Sequence, residues 1–159
     1  FSYDKLPELK GCYAIAAVTN PVLKKRIVEK EINKKGYKLA KIIHPKSYIS
    51  EDFAIQPGCV IYPQVRISYD VKIDKNVWLD YNSNIGHNVR IGQYSSILPS
   101  SIVLGSIGNS CLLGAGTIIH PNVKIGNNCL VGIGTTVIKN IPSQSKIINY
   151  QRTTITNNK

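Results

Sequence analysis

Methionine is absent from this chain of 159 residues, which starts at Phe1; together these lead us to expect a fragment or a processed chain. Acidic residues are scarce, 9 Asp and Glu against 20 Lys and Arg, for a formal net charge of +11. The excess is spread out: residues 1–41 hold ten basic and four acidic side chains, and the remainder ten and five. A diffuse basic surface favours anionic small molecules such as phosphorylated cofactors or nucleotide-linked substrates; the bland alternative is Lys/Asn-rich drift with no partner. Nucleic acid is not expected, because no Lys/Arg run exceeds three, no basic strip is interleaved with aromatics and no zinc motif occurs. No apolar stretch approaches the roughly 18 residues of a membrane span, and the start does not read as a signal peptide, so a cytoplasmic protein is expected. The four cysteines, at 12, 59, 111 and 129, lack CxxC spacing, which argues against a metal site or redox pair. Neither G-x-G-x-x-G nor G-x-x-x-x-G-K-[ST] occurs.

What the chain has in abundance is an aliphatic residue at every sixth place. The series runs Ile43, Ile49, Ile55, Ile61, Ile67, Ile73, Leu79, Ile85, Ile91, Ile97, Val103; one four-residue step leads to Ile107, and it resumes at Leu113, Ile119, Ile125, Val131 and Val137. All 17 positions are Ile, Leu or Val. Four residues after each, the side chain is mostly small or β-branched, with Phe53 the bulky exception. An α-helix would smear a period of six around its axis. A six-residue unit with two inward positions fits a short strand plus a turn, and three units make one triangular coil. Stacked coils pair their backbones about 4.8 Å apart around a narrow core. Seventeen units predict between five and six coils. Cys59, Cys111 and Cys129 fall in the small inward slot and read as buried thiols acting as small hydrophobes.

Residues 1–42 follow another pattern. Tyr13–Val18 reads as a buried strand; Asn20-Pro21 is a cap followed by proline in a first helical turn. Leu23, Ile27, Val28 and Ile32 form a helical apolar stripe that Gly36 ends, and residues 37–42 return as a strand. This single βαβ unit is too small to bury both its faces alone. The expected organisation is a partial Rossmann-like α/β appendage over 1–42, a β-helix over 43–142 and a polar tail over 143–159.

A βαβ end, then Ile42-Ile43-His44-Pro45, then six-residue coils: this order resembles the sialic acid O-acetyltransferase and bacillosamine N-acetyltransferase family of hexapeptide-repeat acyltransferases, over roughly residues 7–142. The resemblance implies a left-handed parallel β-helix, whereas the general rule for parallel crossovers favours right-handed ones. It also implies an acetyl-CoA-dependent acetyltransferase acting on an amino or hydroxyl group of a sugar or nucleotide-linked sugar, for surface-glycan or polysaccharide biosynthesis, assembled as a homotrimer with each site between two subunits. No metal is implied. The three histidines do not repeat at one stacking position, which argues against a zinc site like that of β-helical carbonic anhydrases; His44 and His120, each followed by proline, read as corner residues.

In that family a histidine is the general base, and the matching segment here is Gly86-His87-Asn88-Val89-Arg90-Ile91-Gly92. Imidazole titrates near neutrality and suits removal of a proton from an attacking amine or hydroxyl. The developing oxyanion wants backbone donors, and Gly105, 18 residues beyond His87, is assigned that role. Gly114, Ala115, Gly116, Gly132, Ile133 and Gly134 match positions that line the groove for CoA in the family; alternatively these glycines permit tight corners. Lys124 and Lys139 could meet CoA phosphates. The chain departs from the family in four places. Gly86 and Asn88 replace acidic flanks of the histidine. Ser96 stands where a second histidine near the thioester is usual, and Ser96 and Gly105 are accordingly also expected to contact CoA. The step through Gly105 to Ile107 is two residues short, and residues 148–151 read Ile-Asn-Tyr-Gln in place of G-x-P-A. Asp70, 18 residues before Asn88, is expected to replace the missing flank and hold the imidazole tautomer; the alternative is a solvated turn residue. Two other functions remain open: a non-catalytic trimeric scaffold or sugar-binding module with a decayed site, and acetylation of serine or a small amine.

Overall fold

The reason six residues close one face is written in the backbone dihedrals. Most faces are a two-residue strand followed by a four-residue corner, and most of those corners place one residue in the left-handed region. Gly58, Gln64, Asp70, Asn76, Asn82, Asn88, Tyr94 and Ser100 recur at that place with φ between 52° and 78°. Asparagine, aspartate and glycine tolerate this conformation best, so part of the chain's asparagine content is a requirement of the corners rather than drift.

The structure is a computed structural model that describes residues 11–149. Residues 1–10 and 150–159 lie outside the described residues, and with them the end of the tail and two of the four positions that replace G-x-P-A. The corners join three parallel sheets of four, seven and six strands into a left-handed parallel β-helix of about six turns. Guide residues stack directly on one another: Ile61 on Leu79, Ile67 on Ile85, Ile73 on Ile91. One coil is 18 residues until the four-residue step, where the register falls to 16, with Ile91 facing Ile107 and Val103 facing Ile119. A second short step, Val137 to Ile141, was not expected. It pairs Ile141 with Ile125 and Ile147 with Val131, and it carries the β-helix on to the strand Lys146–Ile147, past the expected end at 142.

Leu79, Ile97, Val103, Leu113 and Ile119 are fully buried in a single aliphatic core that also holds Ile85. Burying each such side chain contributes about 1.5–3 kcal/mol. The first guide residue, Ile43, is instead 42% exposed, because no coil lies beneath it. Cys59, Cys111 and Cys129 occupy the small inward slot as expected, and their thiols donate to the carbonyls of Asp74, Gly126 and Pro142 at 3.1, 3.0 and 3.2 Å. Burial pushes the Cys111 thiol up to about 11, which withholds the reactive thiolate.

The N-terminal unit is βαβ, but its strands are shorter than expected. Tyr13–Ala14 pairs in parallel with Lys38–Leu39, while Ile42–Ile43 already belongs to the β-helix, paired with Val60–Ile61. The helix Pro21–Ile27 starts where the side chain of Asn20 accepts the Leu23 N–H at 3.0 Å. It continues as a wider turn over Val28–Ile32 and is closed by Gly36 at φ +73°. Ala16, Ile27, Val28 and Ile32 pack with Tyr94 of the β-helix, so the unit completes its core against its neighbour.

Lys24 is the polar centre of that contact. It is 2% exposed, and its Nζ donates to Ser96 Oγ at 2.7 Å and to the carbonyls of Asn76 and Ser95 at 3.2 and 3.3 Å. Burial pushes it down to about 7, partly offset by the nearby Cys59. Between pH 7 and its ordinary value of 10.5, the unfolded chain holds a proton at Lys24 that the folded chain has released. This group therefore adds stability as pH rises through that window, by up to about 1.4 kcal/mol per pH unit. Thermal melts from pH 7 to 9, below the ordinary range of the buried thiols, should show the rise, and Lys24→Met should flatten it.

Candidate active site

Three consecutive corners of the β-helix make the site. The lowest, residues 86–89, joins the strands Asn84–Ile85 and Arg90–Ile91; the highest, residues 120–123, joins Ile118–Ile119 and Lys124–Ile125. The corner between them, from Ile102–Val103 to Ser106–Ile107, has only Leu104 and Gly105. Two missing residues set it back, and a cleft of about 410 Å³ opens there, lined by Gly86, His87 and Asn88 below, Leu104, Gly105 and Ser106 behind, and Pro121, Asn122, Val123 and Lys124 above. The short step, a departure in the sequence, is what creates this cavity.

His87 and Gly105 thus share one cleft. His87 is exposed, and its Nδ1 lies 3.1 Å from the side-chain nitrogen of Asn88. Turning that amide end for end lets its oxygen accept an Nδ1–H and leaves Nε2 free as a base. Gly105 is buried, and among the described residues no acceptor meets its N–H. A Cβ there would lie 2.4 Å from the Val123 carbonyl oxygen and 2.8 Å from that of His120, so only glycine fits under the overhanging corner.

Asp70 is placed otherwise than expected. Its backbone N–H donates to the Asp52 carboxylate at 3.0 Å, and it lines a separate cleft with Asp52 and Asp74. The group that meets His87 Nδ1 is Asn88, not Asp70. The hydroxyl of Ser50 and the N–H of Asp70 hold the Asp52 carboxyl below the usual carboxylate range.

Ser96 is also corrected. It is fully buried beneath the N-terminal helix, and its hydroxyl accepts from Lys24, so it faces no cofactor. The six residues expected to shape the CoA groove sit on the next corner, above Leu112–Leu113 and Leu130–Val131, outside the His87 cleft. Gly116 and Gly134 have φ +66° and +64°, which is the corner requirement, while Ile133 stands 78% exposed. Lys124 lines the cleft and Lys139 does not. One neighbour was missed altogether. The ring of Tyr69, 18 residues before His87, lies parallel to the imidazole, with centroids 5.1 Å apart and planes 5° apart; the 18-residue spacing was the available signal.

Residues 106–139 match the bacterial transferase hexapeptide family (six repeats). That stretch of the β-helix is similar to bacterial transferase hexapeptide repeats. A comparison with curated protein sequences finds no match. Among solved structures, the chain is similar to PerB from Caulobacter crescentus in complex with CoA and GDP-perosamine, at 25% identity over 85% of this chain and 66% of that one, with a TM-score of 0.80. A mutant of GDP-perosamine N-acetyl transferase from the same organism, also with CoA and GDP-perosamine, gives 24% identity, 85% and 65% coverage and a TM-score of 0.81. The acetyltransferase domain of PglB from Neisseria gonorrhoeae FA1090, in complex with acetyl coenzyme A, gives 20%, 91%, 70% and 0.82; these two likenesses bear on the fold. The chain therefore spans about two thirds of the length of the proteins it resembles. Among the described residues, no group of three or more His, Cys, Asp or Glu could hold a metal ion, and no helix is long and apolar enough to cross a membrane.

Proposed function

We propose that the chain is an acetyl-CoA-dependent acetyltransferase acting on an amino or hydroxyl group of a sugar or nucleotide-linked sugar. The observation that carries the reading is that His87 and Gly105 line one cleft, and among the described residues no acceptor meets the Gly105 N–H. The acceptor nitrogen or oxygen attacks the thioester carbonyl carbon and gives its proton to His87 Nε2. The oxyanion is met by the Gly105 N–H. When it collapses, the C–S bond breaks and the CoA thiolate takes the proton back from the imidazolium, leaving CoA thiol and an acetylated acceptor. Similarity to a protein that binds CoA and GDP-perosamine supports both substrate classes.

A homotrimer completes the proposal. The glycine corner of one chain would lie against the His87 cleft of the next, and Ile133 on the glycine corner and Ile138 on the corner above the cleft, 78% and 65% exposed, suit such a contact. A soluble cytoplasmic enzyme of polysaccharide biosynthesis is the setting this chemistry fits.

The direct test is thiol release from acetyl-CoA in the presence of a panel of amino sugars and their nucleotide-linked forms. Release that depends on one acceptor is expected. A chain that binds CoA yet never releases thiol would instead favour the second reading, a trimeric scaffold or sugar-binding module, which the absence of acidic groups on either side of His87 favours.

A further inference from the structure

A histidine on an exposed corner has two free torsions, and a base that wanders is a poor base, since misplacement by 1 Å can cost about a hundredfold in rate. Something must hold the ring. Asp70 lines another cleft, and among the described residues no carboxylate lines this one. Among the described residues, two groups touch the imidazole. Asn88 meets Nδ1 along its edge at 3.1 Å, and the phenol ring of Tyr69 lies flat against one face, 5.1 Å between centroids and 5° from parallel. That separation falls within the range of stacked ring pairs. The two supports are joined, because the N–H of Asn88 donates to the carbonyl of Tyr69 at 3.3 Å. One residue of the coil below thus anchors both the backbone beside the histidine and the histidine's ring.

We infer that Tyr69 is the positioning residue of this site, a platform one coil below His87 that sets the plane of the imidazole while the cleft lies on the other side. The inference rests on the acetyl-transfer reading for its kinetic consequence, but not for the stack itself. The platform works through its ring face, so the phenol hydroxyl is dispensable. Tyr69 is 53% exposed and takes no part in the aliphatic core, so its removal leaves the fold intact.

The experiment pairs kinetics with proton NMR of the resting protein, on the wild type, Tyr69→Ala and Tyr69→Phe. In Tyr69→Ala, kcat is expected to fall about tenfold to a hundredfold, with KM for acetyl-CoA within about twofold and an unchanged melting temperature; Tyr69→Phe keeps wild-type kcat. In the NMR arm the His87 ring protons of the wild type and of Tyr69→Phe show an upfield ring-current shift that Tyr69→Ala loses. Wild-type kcat in Tyr69→Ala overturns the proposal. So does failure of Tyr69→Phe to restore kcat while its ring-current shift is intact, and so does a wild-type shift that survives in Tyr69→Ala. If the wild type turns over no acceptor, the acetyl-transfer reading fails, and the shift alone decides whether Tyr69 holds the ring.

Discussion

His87→Ala is expected to lower kcat by about 10²–10⁴-fold, the range a positioned acid–base group contributes, while CoA binding and the melting temperature stay near wild type. The side chain is exposed, lies outside the aliphatic core and supports no strand, so its loss removes chemistry without removing packing. Steady-state kinetics with the best acceptor from the sugar panel, beside calorimetric titration with CoA, checks both halves. If alanine retains wild-type turnover, the cleft has another base or none, and Gly105 loses its assigned partner. A fall in CoA affinity equal to the fall in turnover would make His87 a binding group rather than a base.

The second large effect is on stability. Leu113 is fully buried, with Ile97 stacked beneath it and Val131 above. Leu113→Ala leaves a cavity between coils that cannot close, because each coil is held in register by its backbone ladders. Buried leucine truncations cost about 2–5 kcal/mol, and urea denaturation should show a loss in that range. Leu130, 36% exposed on the next coil, is the control: Leu130→Ala should stay within about 0.5 kcal/mol. Equal losses at both sites would mean that the interior is not the three-sided aliphatic stack described above.

The two substitutions separate what could be read from the chain alone from what could not. Leu113 was identified as interior because the period of six admits one solution: guide residues must meet if six-residue strand-and-turn units stack. The N-cap at Asn20 was readable for a similar local reason. A side chain three residues before an amide satisfies it wherever the helix goes. His87 came from the resemblance in its segment, and Gly105 from the 18-residue spacing of stacked coils. Asp70 was also selected by that spacing, yet spacing places a residue on a corner without saying which way its side chain turns. Asp70 lines a different cleft, while the Tyr69 ring lies against the histidine. Ser96 misled for a different reason. Its neighbour is Lys24, 72 residues earlier, and no pattern along the β-helix reports which face the N-terminal unit will cover.

The repeat itself determined the architecture, because a hydrophobic period longer than that of a strand or a helix has to be closed by corners, and it determined the stacking partners of every coil before the short step. The tertiary structure alone decided the site. A corner two residues short reads in sequence as a defect; only with full corners stacked above and below does it become a cleft, because a cavity is a relation between coils and not a property of any one of them.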